Sequence, residues 1–198
     1  MKKIIGITGG IGSGKSTLSQ HLIKKGFLVH ESDKVVSKIY DKPNRSFLNF
    51  IKKCGLESVI KNKKIHKKLI TNIIFNNKKT KKRLEKFIHK EVREHRESFI
   101  KKNLNTKKKS IFADIPLLLE NKLEKSFDLV ICVISTKKNR TKRVLKNKKF
   151  SKKVLEKIFK SQTTDRERRA RSNIIIYNNK SKKDFISSAE QALIRFLK

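Results

Sequence analysis

At residue 9 begins Gly9-Gly10-Ile11-Gly12-Ser13-Gly14-Lys15-Ser16, a complete G-x-x-x-x-G-K-[ST] pattern. The apolar run Ile4-Ile5-Gly6-Ile7 precedes it, and an amphipathic stretch over Lys15–Lys24 follows, with Leu18 and Leu22 on one side. Strand, glycine turn and helix in this order constrain the fold more than any other part of the chain. Glycines let the backbone double back so that successive N–H groups point at phosphate oxygens, and the helix N-terminus adds partial positive charge there. A glycine-rich turn before an ordinary helix is the competing reading, and the flanking strand and helix favour the phosphate site. Gly10, Ile11, Gly12, Ser13, Gly14, Lys15, Ser16 and Thr17 are therefore the expected contacts of a nucleoside triphosphate. In that role Lys15 reaches the β- and γ-phosphates, and the Ser16 hydroxyl is a ligand for Mg²⁺.

With 198 residues, 36% of them hydrophobic, the chain can bury one core plus a small appended lobe. No apolar run approaches the ~20 residues of a membrane span. The start, Met1-Lys2-Lys3, leads into only a few apolar residues before the glycines and does not read as a signal peptide. Cys54 and Cys132 lie far apart, with no partner at metal-ligand spacing, and Cys132 sits in the apolar run 129–134 as a small hydrophobe. A reduced, cytoplasmic protein is expected. The formal net charge of +36 invites a nucleic-acid reading. The excess is mostly Lys, is spread along the chain, and travels with abundant Asn and Ile, the signature of an A+T-rich genome. The aromatics are mainly Phe at helical core spacing rather than interleaved with basic residues. A solvated lysine-rich surface is the expected meaning; steering of anionic substrates or salt-sensitive polyanion binding is the alternative.

Residues 3–7, 110–115 and 129–134 read as buried parallel strands, with 174–177 and 28–30 as further ones. Helical patterns separate them, which indicates an α/β fold built on a doubly wound, mostly parallel sheet. About seventy residues before Ser110 carry no strand character and hold helical segments near 33–40, 45–54, 65–75 and 80–102. Such an insertion at the carboxyl end of a strand is where an α/β fold places a second substrate. Residues 140–148 and 152–161 form another helical pair joined by a lysine-rich turn.

Several side chains at strand ends and on helices could carry chemistry. Asp33 stands where a phosphotransfer base would face the acceptor, or else N-caps the helix beginning at Lys34. Glu31 reads as a strand-edge residue. Asp114, closing an apolar strand, resembles a Walker-B carboxylate placed for Mg²⁺ and its water. Pro116 ends that strand, and Leu117, Leu118 and Leu119 are core or the wall of a substrate cleft, with core the better reading. His89 lies on a long charged helix, the setting of a surface or core-edge histidine. Arg140 and Arg143 share a helix with several lysines and read, unaided, as a solvated basic face; delivered from a lid, such an arginine would stabilise a transferring phosphoryl group. Asn178 and Asn179 follow a strand and either contact adenine or shape a turn.

Taken together the chain resembles the dephospho-CoA kinases over nearly its whole length. The resemblance rests on Gly6-Ile7-Thr8-Gly9-Gly10-Ile11-Gly12-Ser13-Gly14-Lys15-Ser16-Thr17, Glu31-Ser32-Asp33, Ile73-Ile74-Phe75, His89, Asp114-Ile115-Pro116-Leu117-Leu118-Leu119-Glu120, Gln162 and Ile176-Tyr177-Asn178-Asn179. It implies phosphorylation of the ribose 3′-hydroxyl of dephospho-CoA, with ATP and Mg²⁺ as cofactors. It also implies a core of residues 1–40 and 104–198, an inserted helical substrate-binding domain over 41–103, and a small helical lid over 137–160. Asp33 becomes the acceptor-side base and Thr8, His89, Pro116 and Leu117 acceptor-pocket residues. Arg143 matches the first lid arginine, Asn178 a position near adenine, and Ser16 with Asp114 the metal side. ATP and dephospho-CoA are the implied partners, with no specific nucleic acid, no membrane and a monomer favoured. A nucleoside or nucleotide kinase of the same fold is the nearest alternative, and a basic nucleic-acid-binding ATPase a more distant one. Four positions depart from the family pattern: Glu31 replaces Asp, Lys90 replaces the Pro after the histidine, Asn147 stands at the second lid arginine, and Lys67 replaces an arginine of the substrate domain.

Overall fold

A computed structural model describes residues 2–62, 64–66, 69, 70, 72, 73, 77–147 and 150–197. These form two compact units, Met1–Glu31 with Ile100–Lys198, and Ser32–Phe99, where the sequence suggested an insertion over 41–103.

The first unit is built on a five-stranded sheet of β1 (Lys3–Gly9), β2 (Leu28–Glu31), β5 (Ser110–Asp114), β6 (Leu129–Ile134) and β7 (Ile174–Tyr177). Their order is β2-β5-β1-β6-β7, and every neighbouring pair is parallel. Consecutive apolar residues suit such strands because both faces are covered. On one face Ile5, Ile7, Phe112, Ile131, Val133, Ile174 and Ile176 pack against Leu18 and Leu22 of helix α1 (Lys15–Lys24) and against Phe185, Ala189 and Leu193 near the C-terminus. On the other, Ala113 and Val130 meet Ile115, Leu118 and Leu119. Gly6 faces that side, where a Cβ would collide with Leu118 Cδ1 at 2.6 Å. Burying one such Ile, Leu or Phe is worth about 1.5–3 kcal/mol, so the alternation along β1 and β5 locks the register. That register sets Ile7 beside Asp114 and brings the carboxyl ends of β1 and β5 together.

The second unit holds α2 (Ser32–Asp41), α3 (Arg45–Lys53) and most of α4 (Lys78–Asn103). Phe47, Phe50 and Phe87 stack at its centre, with Phe50 and Phe87 centroids 4.5 Å apart, and Tyr40 meets Phe47 edge-on. Asn44 caps α3, its side chain accepting from the Phe47 N–H. A small antiparallel hairpin, β3 (Ile60–Lys61) and β4 (Lys64–Ile65), corrects the expectation of a strandless block. Each arm has only two residues, too few for alternation to register. It claims Ile65, and of the helix expected over 65–75, Lys67, Lys68, Thr71, Ile74 and Phe75 lie outside the described residues.

After β6 come α5 (Lys137–Lys146), α6 (Lys152–Ser161), α7 (Asp165–Ala170), and finally α8 (Lys182–Leu197). The short α7 was not anticipated, although Thr164 and Glu167 form a capping box whose T-x-x-E spacing is visible in the sequence.

Candidate active site

The glycine loop joins β1 to α1. Gly14 has φ +105° and, lacking a side chain, gives α1 no side-chain cap. The Thr17 N–H donates to Gly14 O at 2.9 Å, and an anion at the loop can satisfy the N–H groups that begin the helix, Lys15 and Ser16. Ser16 is exposed and Thr17 half-buried in that turn, while the Ser13 hydroxyl is buried with no partner among the described residues.

Lys15 is nearly buried, 9% exposed, and forms an ion pair with Asp114, itself 5% exposed. Ser19, one turn further along α1, donates its hydroxyl to Asp114 Oδ2 at 2.6 Å. One carboxylate at the end of β5 thus receives an ammonium and a hydroxyl from a single helix face. Ser19 escaped sequence analysis because an Asp at a strand end does not name its donor.

Asn178 and Arg143 brace the loop. The Asn178 amide donates to Ser13 O at 2.8 Å. Arg143 lies within hydrogen-bond distance of Gly12 O, Ser13 O and Ser135 Oγ, and reaches Asn178 O at 2.9 Å and Oδ1 at 3.1 Å. The arginine expected at the transferring phosphoryl group therefore holds loop carbonyls here, and the asparagine expected near adenine is its partner. Asn179 accepts from the Thr136 N–H at 2.9 Å, the turn-shaping role.

A second arginine cluster stands against Gly10. Arg140 and Arg168 are 8% and 3% exposed, which corrects the solvated basic face expected for Arg140. Packing of α5 against α6 and α7 buries it: its guanidinium sits 5.0 Å from the Phe159 ring centroid and 3.7 Å from Asp165. Arg168 donates to Asp165 Oδ1 at 2.7 Å and lies 3.7 Å from Glu120. Glu120 also accepts from the Thr163 N–H, and Gln162 Oε1 accepts from the Ile11 N–H of the loop at 3.0 Å. Burial holds the Arg140 pKa below its usual value and Arg168 lowers it further, while Asp165 pulls it back up.

Thr8 is buried at the end of β1, its hydroxyl donating to Pro116 O at 3.3 Å. Of the three leucines, Leu118 and Leu119 are core as expected, but Leu117 is 40% exposed beside the half-buried Pro116. The split follows from the turn after β5, which points two of the three inward. Gln20 donates to the strand-edge Glu31 at 2.7 Å. In the second unit, Asp33 is exposed in the first turn of α2, which starts at Ser32, so Asp33 is not its N-cap. His89 is exposed on α4.

Comparison with known proteins decides the family. The family model described as dephospho-CoA kinase matches residues 3–184. The chain belongs to the dephospho-CoA kinase family. The dephospho-CoA kinase of Fusobacterium nucleatum is 34% identical over 188 residues, spanning 95% of each chain. A solved dephospho-CoA kinase from Campylobacter jejuni superposes with a TM-score of 0.71 at 29% identity, covering 98% of this kinase and 97% of that chain. Shikimate kinase from Acinetobacter baumannii shares the fold alone, with a TM-score of 0.52 and 16% identity over 100% of this chain and 97% of that one. The kinase is thus a phosphotransferase that phosphorylates dephospho-CoA at the expense of ATP.

Two of the kinase's departures from its family pattern have a visible structural form. With Lys90 in place of proline, α4 runs unbroken through His89 from Lys78 to Asn103. Asn147 C-caps α5 and carries no guanidinium, while Lys148 and Lys149 lie outside the described residues, as does Lys67.

Proposed function

We propose that this kinase transfers the γ-phosphoryl group of ATP in line to the ribose 3′-hydroxyl of dephospho-CoA, with Asp33 as the acceptor-side base. The observation that carries the reading is the loop with its Lys15–Asp114–Ser19 arrangement, a cation beside a carboxylate at the mouth of a phosphate cradle. Lys15 exchanges part of its pairing with Asp114 for the β- and γ-phosphates. The loop amides and the N-terminus of α1 hold the rest of the triphosphate. The oxygen donors Ser16 and Asp114 suit Mg²⁺, which takes one or two carboxylates and completes its shell with phosphates and water. When bound there it neutralises charge on the transferring group.

By the family resemblance, Asp33 and His89 of the Ser32–Phe99 unit are residues for dephospho-CoA, and Thr8, Pro116 and Leu117 are further acceptor residues. Helices α5 and α6 serve as the lid. The same reading makes the enzyme a cytoplasmic monomer acting on small molecules. No helix among the described residues is long and apolar enough to cross a membrane.

Asp33→Asn tests the base. ATP affinity should stay near wild type by calorimetry while kcat falls about 10²–10⁴-fold, the usual worth of a general base. Near-normal turnover would remove Asp33 from the chemistry.

A further inference from the structure

We propose that Arg140 is a second guanidinium ligand for the phosphate chain of ATP, poised against the loop at Gly10. The inference rests on the loop being the ATP site. Gly10 has no left-handed torsion to explain its identity; the reason is space. A Cβ there would collide with the Arg140 guanidinium and meet Arg168 Nη1 at 3.1 Å. The two guanidiniums therefore lie directly against the loop backbone, where a Cβ-bearing residue would push them off.

The charge balance around Arg140 is incomplete. Asp165 is held closely by Arg168 at 2.7 Å and stands 3.7 Å from Arg140, beyond hydrogen-bond length. Glu120 is within 4 Å of Arg168 and is also engaged by the Thr163 N–H. The Arg140 Nε is buried with no partner among the described residues. A guanidinium that is nine-tenths buried, short of anion and missing a hydrogen bond calls for an acceptor in the space beside it. The phosphates bound by the adjacent loop supply one, and a planar five-donor fork suits a phosphate better than a lysine would. The neighbouring turn reinforces the placement, since Gln162 fixes α6 to the Ile11 amide of the same loop. In this arrangement Arg140 provides arginine chemistry from α5, the helix on which Asn147 provides none.

The test compares Arg140→Gln, Arg140→Lys and Lys15→Ala with the wild type. Each is followed by calorimetric Kd for Mg²⁺-ATP, by thermal unfolding, and by the fall of affinity between about 50 and 300 mM KCl. Arg140→Gln should weaken ATP about ten- to a hundredfold and bind with a shallower salt dependence. Arg140→Lys keeps the charge but not the fork and should fall between. A shift in melting temperature with ATP affinity and salt dependence unchanged would make Arg140 a structural brick and overturn the inference. If Arg140→Gln does not fold, equal ATP affinity in Arg140→Lys overturns it instead. Lys15→Ala separates the two layers: ATP binding unaffected in that variant sinks the loop reading itself, whereas its loss beside a silent Arg140→Gln sinks only the proposal for Arg140.

Discussion

Removing both members of the Lys15–Asp114 pair should cost no more stability than removing one. Asp114→Asn keeps the side-chain shape but leaves the Lys15 ammonium, 9% exposed, facing an amide. Stranding one charge of a buried pair costs about 3–5 kcal/mol. The Asn carbonyl still accepts from Lys15, which argues for about 3 kcal/mol. Lys15→Met leaves the buried Asp114 carboxylate, 5% exposed, holding the Ser19 hydroxyl but without its ammonium, again about 3 kcal/mol. The double variant buries neither charge, so its cost should stay near that of one single variant, a coupling of about 3 kcal/mol where additivity would give about 6. For a chain of this size each kcal/mol moves the melting temperature by about 2–4 °C, so each single variant should melt about 6–12 °C low and the double no lower. Differential scanning calorimetry without nucleotide reads this directly. Losses that add within about 0.5 kcal/mol would refute a coupled buried pair.

Two further perturbations probe the walls of the site. Gly10→Ala should lower the melting temperature by a few degrees, since overpacking costs about 1–3 kcal/mol; adding Arg140→Ala should restore the temperature but not ATP affinity. Full stability of Gly10→Ala alone would mean the guanidinium is not against the loop. At Glu124, burial raises the carboxyl pKa, but its own backbone N–H and Arg171, 2.6 Å away, outweigh burial and hold it below its ordinary value. A depressed folded pKa adds stability above the unfolded value near 4.5, lost as pH falls through the lower folded value. Arg171→Met should therefore melt below wild type at pH 7, with the gap narrowing as pH falls below about 4.5; a gap unchanged in acid would assign the effect to packing.

What could be read from the chain follows the range of the interactions involved. The strands were legible because runs such as 129–134 are apolar without interruption, which only a doubly covered sheet accommodates. The loop was legible because the chemistry of Gly9 to Ser16 is local. Asp114 was found as a strand-end carboxylate, but its tie to Ser19 depends on β1 and β5 pairing Ile7 with Asp114, a relation across about a hundred residues. Arg140 reads as surface from the sequence for the same reason: on its own helix it sits among lysines, and its burial comes from Gly10 of the loop and from Phe159 and Asp165 of two later helices. The hairpin Ile60–Lys61 with Lys64–Ile65 is too short for any periodicity to show. Resemblance supplied the acceptor, which no single residue pattern names.

The most direct measurement is coupled ADP release by the purified kinase with dephospho-CoA, AMP and uridine offered side by side at equal concentration. Rapid, Mg²⁺-dependent turnover of dephospho-CoA with coenzyme A as product, and little with the other two, is the expected result. A strong preference for AMP or uridine, or no turnover of dephospho-CoA by folded, ATP-binding protein, would contradict the account.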